Sequence, residues 1–168
     1  MQQYNEILKQ QEIHHASKLL KKHGIICKQL KLSDDECDPL YLAKPHWTNR
    51  FDENRETTVG IFCAIWVGPS LLKQKKFAYN IHAMKLQKLP DYTLTPSVFA
   101  SEFRSLVKSK VAKWPGISLK HGPSTLLQGK ETSALDIFAE KVDERILGFV
   151  SLSQDIDDLL EQSLNGKN

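Results

Sequence analysis

The side chains able to do covalent or acid-base chemistry are few: three cysteines (Cys27, Cys37, Cys63) and six histidines (His14, His15, His23, His46, His82, His121). One pairing follows from the sequence. Two extended stretches, Thr57 to Val67 and Phe77 to Leu86, flank a turn opened by Gly68-Pro69. If Gly68 faces Phe77, then Cys63 and His82 meet directly across the hairpin. An imidazolium beside a thiol lowers the thiol pKa and supplies a nucleophilic thiolate. Cys63 and His82 are therefore the candidate catalytic pair of a cysteine-dependent enzyme. Against this, no orienting group or oxyanion hole can be assigned, and mid-strand cysteines are more often small inert hydrophobes.

Phosphate and metal motifs fail on spacing. Gly122 to Thr132 reads GPSTLLQGKET, but six residues separate its glycines where a P-loop has four, and Lys130 is followed by Glu131, not Ser or Thr. A Gly-bounded turn between a strand and a helix is the better reading. Asp34, Glu36 and Asp38 alternate like calcium ligands, yet Pro39 and Pro45 stand where an EF-hand needs its glycine and its glutamate. Paired C-x-x-C and H-E-x-x-H patterns are missing, so neither a metal nor a cofactor is expected.

Charge is more informative. The chain of 168 residues has a formal net charge of +3, but the sign is blocked: +4 over 1–32, −4 over 33–58, +9 over 59–130 and −6 over 131–168. Lys73, Lys75 and Lys76 cluster at the expected hairpin tip, and Arg104 and Lys108 lie on a helix. With aromatic neighbours, these five form a candidate nucleic-acid-binding set acting by phosphate neutralisation. Ordinary solvated lysines, or lysines paired with the acidic blocks, explain the same pattern. On a helical wheel Lys110 falls within the apolar stripe, while Ser101, Ser105, Ser109 and Ala112 share the outward sector. Such small residues permit close approach of a partner or a second copy.

The elements that must position these groups read as follows. Tyr4, Ile7, Leu8, Gln11, His15, Leu19, Leu20 and His23 make an amphipathic stripe stopped by Gly24. Ile26, Leu30 and Leu32, interspersed with Lys28 and Lys31, predict a short strand. Residues 33–57 read as a long acidic loop pinned by Leu40, Tyr41, Leu42 and Trp47. The hairpin spans about 57–86, with Phe62, Ala64 and Trp66 expected to share a face with Phe77, Tyr79, Ile81 and Ala83. Thr95-Pro96 opens a helix along Phe99, Phe103, Leu106, Val107, Val111 and Trp114 that ends at Pro115-Gly116. Ser124 to Gly129 suggests a further strand. Ser133, with Asp136 at the capping-box position, predicts a third helix, and Gly148 with Ser151 to Ser153 predicts a break before a last one.

The expected fold is a single α+β domain, 1–168, with an antiparallel sheet packed against three to four helices. Apolar runs are too short for a transmembrane span, the N-terminus lacks a signal-peptide core, and the sparse odd cysteines suit a reducing cytoplasm. The expected role is a small non-catalytic binding or interaction module with a protein partner or a second copy. Nucleic-acid binding and cysteine catalysis are the alternatives.

Overall fold

The computed structural model of the chain describes residues 18–30 and 39–165, together with Gln2 and Glu6. Most of the expected first helix and the acidic run 31–38 lie outside the described residues. Helix α1 covers Leu19–Lys22, and Gly24 turns the chain out of it with φ of 66°. The strands β1 (Ile26–Gln29), β2 (Leu40–Ala43), β3 (Gly60–Trp66), β4 (Lys76–Met84) and β5 (Thr125–Thr132) form one sheet in sequence order, antiparallel throughout. Between them lie α2 (Pro69–Lys73), a 3-10 turn at Leu86–Lys88 and α3 (Pro96–Val111). A second 3-10 turn, Leu135–Ile137, leads into α4 (Phe138–Gln162). The α+β class and the antiparallel sheet are as the sequence predicts.

Hydrophobic sorting separates the two faces of the sheet. The inner face carries Ile61, Cys63 and Ile65 of β3 beside Phe77, Tyr79, Ile81 and Ala83 of β4, all buried. Phe99, Phe103, Val107 and Val111 of α3 and Phe138, Val142, Ile146 and Phe149 of α4 belong to the same core. Phe138 packs edge-on against Phe77, and Phe149 against Tyr79. Truncating one of these phenylalanines to alanine typically costs about 3–5 kcal/mol. The outer face carries Phe62, Ala64 and Trp66 beside Ala78, Asn80, His82 and Met84. Thr95 is extended and Pro96 opens α3, because its fixed φ suits a first helical turn and its missing N–H costs nothing there.

Four expectations need correction. The 33–57 stretch is not all loop: Leu40, Tyr41, Leu42 and Ala43 form β2, between β1 and β3, and all four are buried. A strand covered on both sides has no alternating pattern to betray it. The hairpin register is one residue from the expected one, with Phe62 opposite His82 and Cys63 opposite Ile81. The linker is a helical turn followed by Lys75 at φ of 53°, not a simple β-turn, and a one-residue slip exchanges the faces. The observed register gathers the aliphatic and aromatic side chains of β4 under the helices and leaves its Asn, His and Lys on the other side. Finally, Gly148 breaks nothing: α4 runs unbroken for 25 residues. A Cβ at Gly148 would lie 2.7 Å from the Trp114 ring, so its missing side chain admits Trp114. Ser133 does not cap this helix either; its hydroxyl donates to the Ala134 carbonyl.

Candidate functional site

The observed register takes the Cys63 and His82 pair apart. Facing residues of an antiparallel pair share a face, so Cys63 lies inward with Ile81 and His82 outward with Phe62. Cys63 is buried at 2% exposure, and burial pushes its thiol pKa far up, opposite to what a nucleophile needs. His82 rests against the Phe62 ring, 5.3 Å between centroids; burial, and secondarily the charge of Arg50, lowers its pKa and favours neutral imidazole. Cys27 and Cys63 both face Leu42 of the intervening β2. Two strand spacings, roughly 9–10 Å, are too wide for a disulfide.

The candidate nucleic-acid set also divides. Arg104 is spent on architecture: its guanidinium donates to the carbonyls of Leu126 (3.1 Å), Gly122 (2.9 Å) and Thr125 (2.8 Å), clipping α3 to the start of β5. Lys108 is exposed on α3, in the helix layer. Lys110, expected within the apolar stripe, reaches both oxygens of Asp155 on α4 at 2.9 and 2.7 Å. Lys73, Lys75 and Lys76 lie together at the β3–β4 end of the sheet. Among the described residues no ion pair involves them.

The register adds residues that sequence reasoning missed. Trp66, Ala78 and Lys130 form one row across β3, β4 and β5 on the outer face. The next row holds Ala64, Asn80 and Gln128, and Lys76 faces Thr132 beyond Lys130. Trp66 is half-buried and held in place. Its indole N–H donates to the Asn80 side-chain oxygen at 3.2 Å, and Tyr41 packs edge-on with centroids 5.9 Å apart. Lys130 is exposed, and Lys76, Ala78 and Gln128 are partly so. No Asp or Glu occurs in residues 59–90 or 103–130, so β3, β4 and β5 themselves present only neutral or cationic side chains on this part of the face. The signal was present as strand parity combined with missing carboxylates, but it could be read only once the register was known.

On β5, the residue after Lys130 does the opposite. Glu131 points inward, 3% exposed, and accepts from Arg145 of α4 at 3.1 Å. The Arg145 guanidinium lies between the Tyr79 ring (4.5 Å) and the Trp114 ring (4.2 Å). The Tyr79 hydroxyl donates to the Pro115 carbonyl, and desolvation raises its pKa to about 12. Gly129 provides the space, since a Cβ there would lie 2.2 Å from the Tyr79 ring.

At the other end of the sheet, Asp157 of α4 gathers the loop after β2. It accepts hydrogen bonds from Lys44, from the Trp47 indole at 2.7 Å and from His46 Nε2 at 3.0 Å. Burial opposes the charge, but these three donors outweigh it and hold the Asp157 carboxyl below its ordinary pKa. Beside this cluster opens a cleft of about 380 Å³ lined by His46, Asp52, Lys88, Asp91 and Tyr92, among others. An imidazole oriented by a carboxylate can exchange protons with a molecule in such a cleft. Desolvation, then the charges of Asp157 and Asp91, raises the pKa of the Tyr92 hydroxyl. His46 and Asp157 are 111 residues apart, with no sequence pattern joining them. Among the described residues no cluster of three His, Cys, Asp or Glu side chains could hold a metal ion, and no helix is long and apolar enough to cross a membrane.

Comparison with known proteins adds no relative: no protein family matches the chain, and neither a curated protein nor a solved structure is significantly similar to it.

Proposed function

We propose that this protein is a non-catalytic binding module that holds an anionic partner on the outer face of its sheet, at the end carrying Lys73, Lys75, Lys76 and Lys130. The observation that supports this reading is the Trp66, Ala78 and Lys130 row, a cationic and aromatic surface to which β3, β4 and β5 turn no carboxylate, the one they carry, Glu131, lying inward. Lysines not engaged in ion pairs keep their counterions, and a polyanion that displaces those ions gains entropy. Buried reduced thiols at Cys27 and Cys63 suit a reducing compartment, and we place the module in the cytoplasm.

Heparin chromatography tests this reading. The wild type should be retained at low salt, and the double variant Lys76→Glu/Lys130→Glu should elute at clearly lower salt. A control with the same charge change on the helix layer, Lys108→Glu/Lys113→Glu, should shift elution much less. Equal shifts for the two variants would mean that net charge alone is being read and would overturn the site.

A second reading, self-association through the outer side of α3, is favoured by Val98 and Leu106, which are 51% and 48% exposed. They flank the small residues Ser101 and Ser105, themselves exposed. Sedimentation equilibrium at micromolar concentration should then give twice the 19.2 kDa chain mass, and Leu106→Glu should return the monomer. A monomer at every concentration contradicts this reading.

A further inference from the structure

We infer that the anionic partner is single-stranded nucleic acid, with a base stacked on Trp66 and its flanking phosphates on Lys76 and Lys130. The inference rests on the anion-binding reading above and names the ligand class of the same surface. A polyanion recognised by charge alone needs lysines and nothing between them. Here the residue between Trp66 and Lys130 is alanine, so the centre of the row is a shallow floor bounded by an indole on one strand and an ammonium on another. From the strand spacing the two boundary residues stand roughly 9–10 Å apart at the backbone. A flat ring can lie in that width.

The indole is prepared for such a contact. Asn80 fixes its N–H and Tyr41 braces it edge-on, so little side-chain freedom remains to be lost on binding. Every base has an aromatic face to offer, so a Trp platform within a cationic groove holds single strands with little regard to sequence. Gln128, in the adjacent row and partly exposed, places an amide group beside the floor, where base edges have donors and acceptors to match, while Asn80 is buried and engaged with the indole. A duplex keeps its base faces in the stack and offers this surface only phosphates. An acidic peptide would take the lysines and leave the indole unused.

The rest of the outer face is already occupied. Arg50 covers the Tyr41 and Phe62 rings, 4.3 and 5.4 Å from their centroids, and donates to the Tyr41 hydroxyl at 2.6 Å and to Thr58 at 3.0 Å. That cation-covered half shows how these strands treat aromatic surface that the chain itself covers. At the β3–β5 end the Trp66 ring stays partly exposed, with lysines at its margin.

Fluorescence anisotropy with labelled dT20, a 20-base-pair duplex and unlabelled heparin as competitor separates the possibilities. The full chain should bind dT20 more tightly than the duplex, with a steep salt dependence. Trp66→Leu, which keeps apolar volume but has no ring, should weaken dT20 binding about tenfold or more and leave heparin elution unchanged. Lys130→Ala should weaken both and flatten the salt slope for dT20 by about 0.7, the value of one phosphate contact. Thermal melts confirm that each variant is folded, and the exposed Lys130 variant keeps the test decisive if Trp66→Leu is not. Equal binding of dT20, duplex and heparin with no dependence on Trp66 would overturn the nucleic-acid inference while leaving anion binding standing. Binding to none of the three at low salt would overturn both.

Discussion

Lys130 and Glu131 are chain neighbours on β5, and the sheet sends them to opposite worlds. Inward, Glu131 neutralises Arg145, whose guanidinium is stacked between Tyr79 and Trp114 and nearly closed to water. Outward, Lys130 shares a row with Trp66, and among the described residues no carboxylate pairs with it. Both faces thus bring a cation and aromatic rings together within a few residues of each other. They differ in whether the charge has been answered. A buried cation must be paired, because desolvation would otherwise cost several kcal/mol, and once paired it serves the fold. An exposed cation has no such debt and remains available to a partner.

The sharpest way to break this contrast is Arg145→Ala. It removes the nearer and more buried of the two cations beside Glu131, leaving only the Lys141 ammonium at 3.7 Å, and about 3 kcal/mol of lost stability is expected, measured by urea denaturation. A loss below about 1 kcal/mol would mean that the inner pair is not structural. Gly148→Ala should cost about 1–3 kcal/mol through overpacking against Trp114, although the same change in an unobstructed helix gains about 1 kcal/mol. A stabilised variant would show that Trp114 can move aside. Asp157→Asn extends the contrast to the cleft end, where charges are likewise answered. The folded-state pKa of Asp157 is depressed, so its stabilisation is complete above the unfolded value near 4 and is lost as pH falls through the folded value. The variant should therefore be less stable than wild type by about 1–2 kcal/mol at pH 7. That gap should close toward pH 2. A gap independent of pH would assign the loss to packing. Smallest of all, Lys76→Ala and Lys130→Ala should change stability by less than about 0.5 kcal/mol while weakening anion binding. A larger loss would place these lysines in the architecture after all.

Much of the frame was legible in the sequence for local reasons. Thr95-Pro96 opens α3 with chemistry confined to two residues, and Gly24 ends α1 in the same local way, whereas α3 stops at Val111, before the Pro115-Gly116 pair that the sequence offers as its end. What depended on distant partners was not. Gly148 looks like a break until Trp114, 34 residues earlier in the chain, is seen to fill its space. Leu40 to Ala43 look like loop residues because a strand buried on both sides shows no alternation. The register of β3 against β4 turns on the helical linker Pro69–Lys73 and on Lys75 in the left-handed region. A single-residue difference there separated Cys63 from His82 and brought Trp66 into line with Lys130. The lysines at the tip were visible from composition. Their aromatic companion was visible only from the pairing.

The most direct test of the outer face as the binding surface is a titration of 15N-labelled protein with dT20, followed by amide and indole chemical shifts. The expected result is a contiguous set of perturbed signals at Trp66, including its indole N–H, and at Lys76, Ala78, Asn80, Gln128 and Lys130, with the amides of Arg145 and Glu131 little changed. Perturbations centred on His46 and Tyr92 at the cleft, or on Val98 and Leu106 of α3, would contradict it.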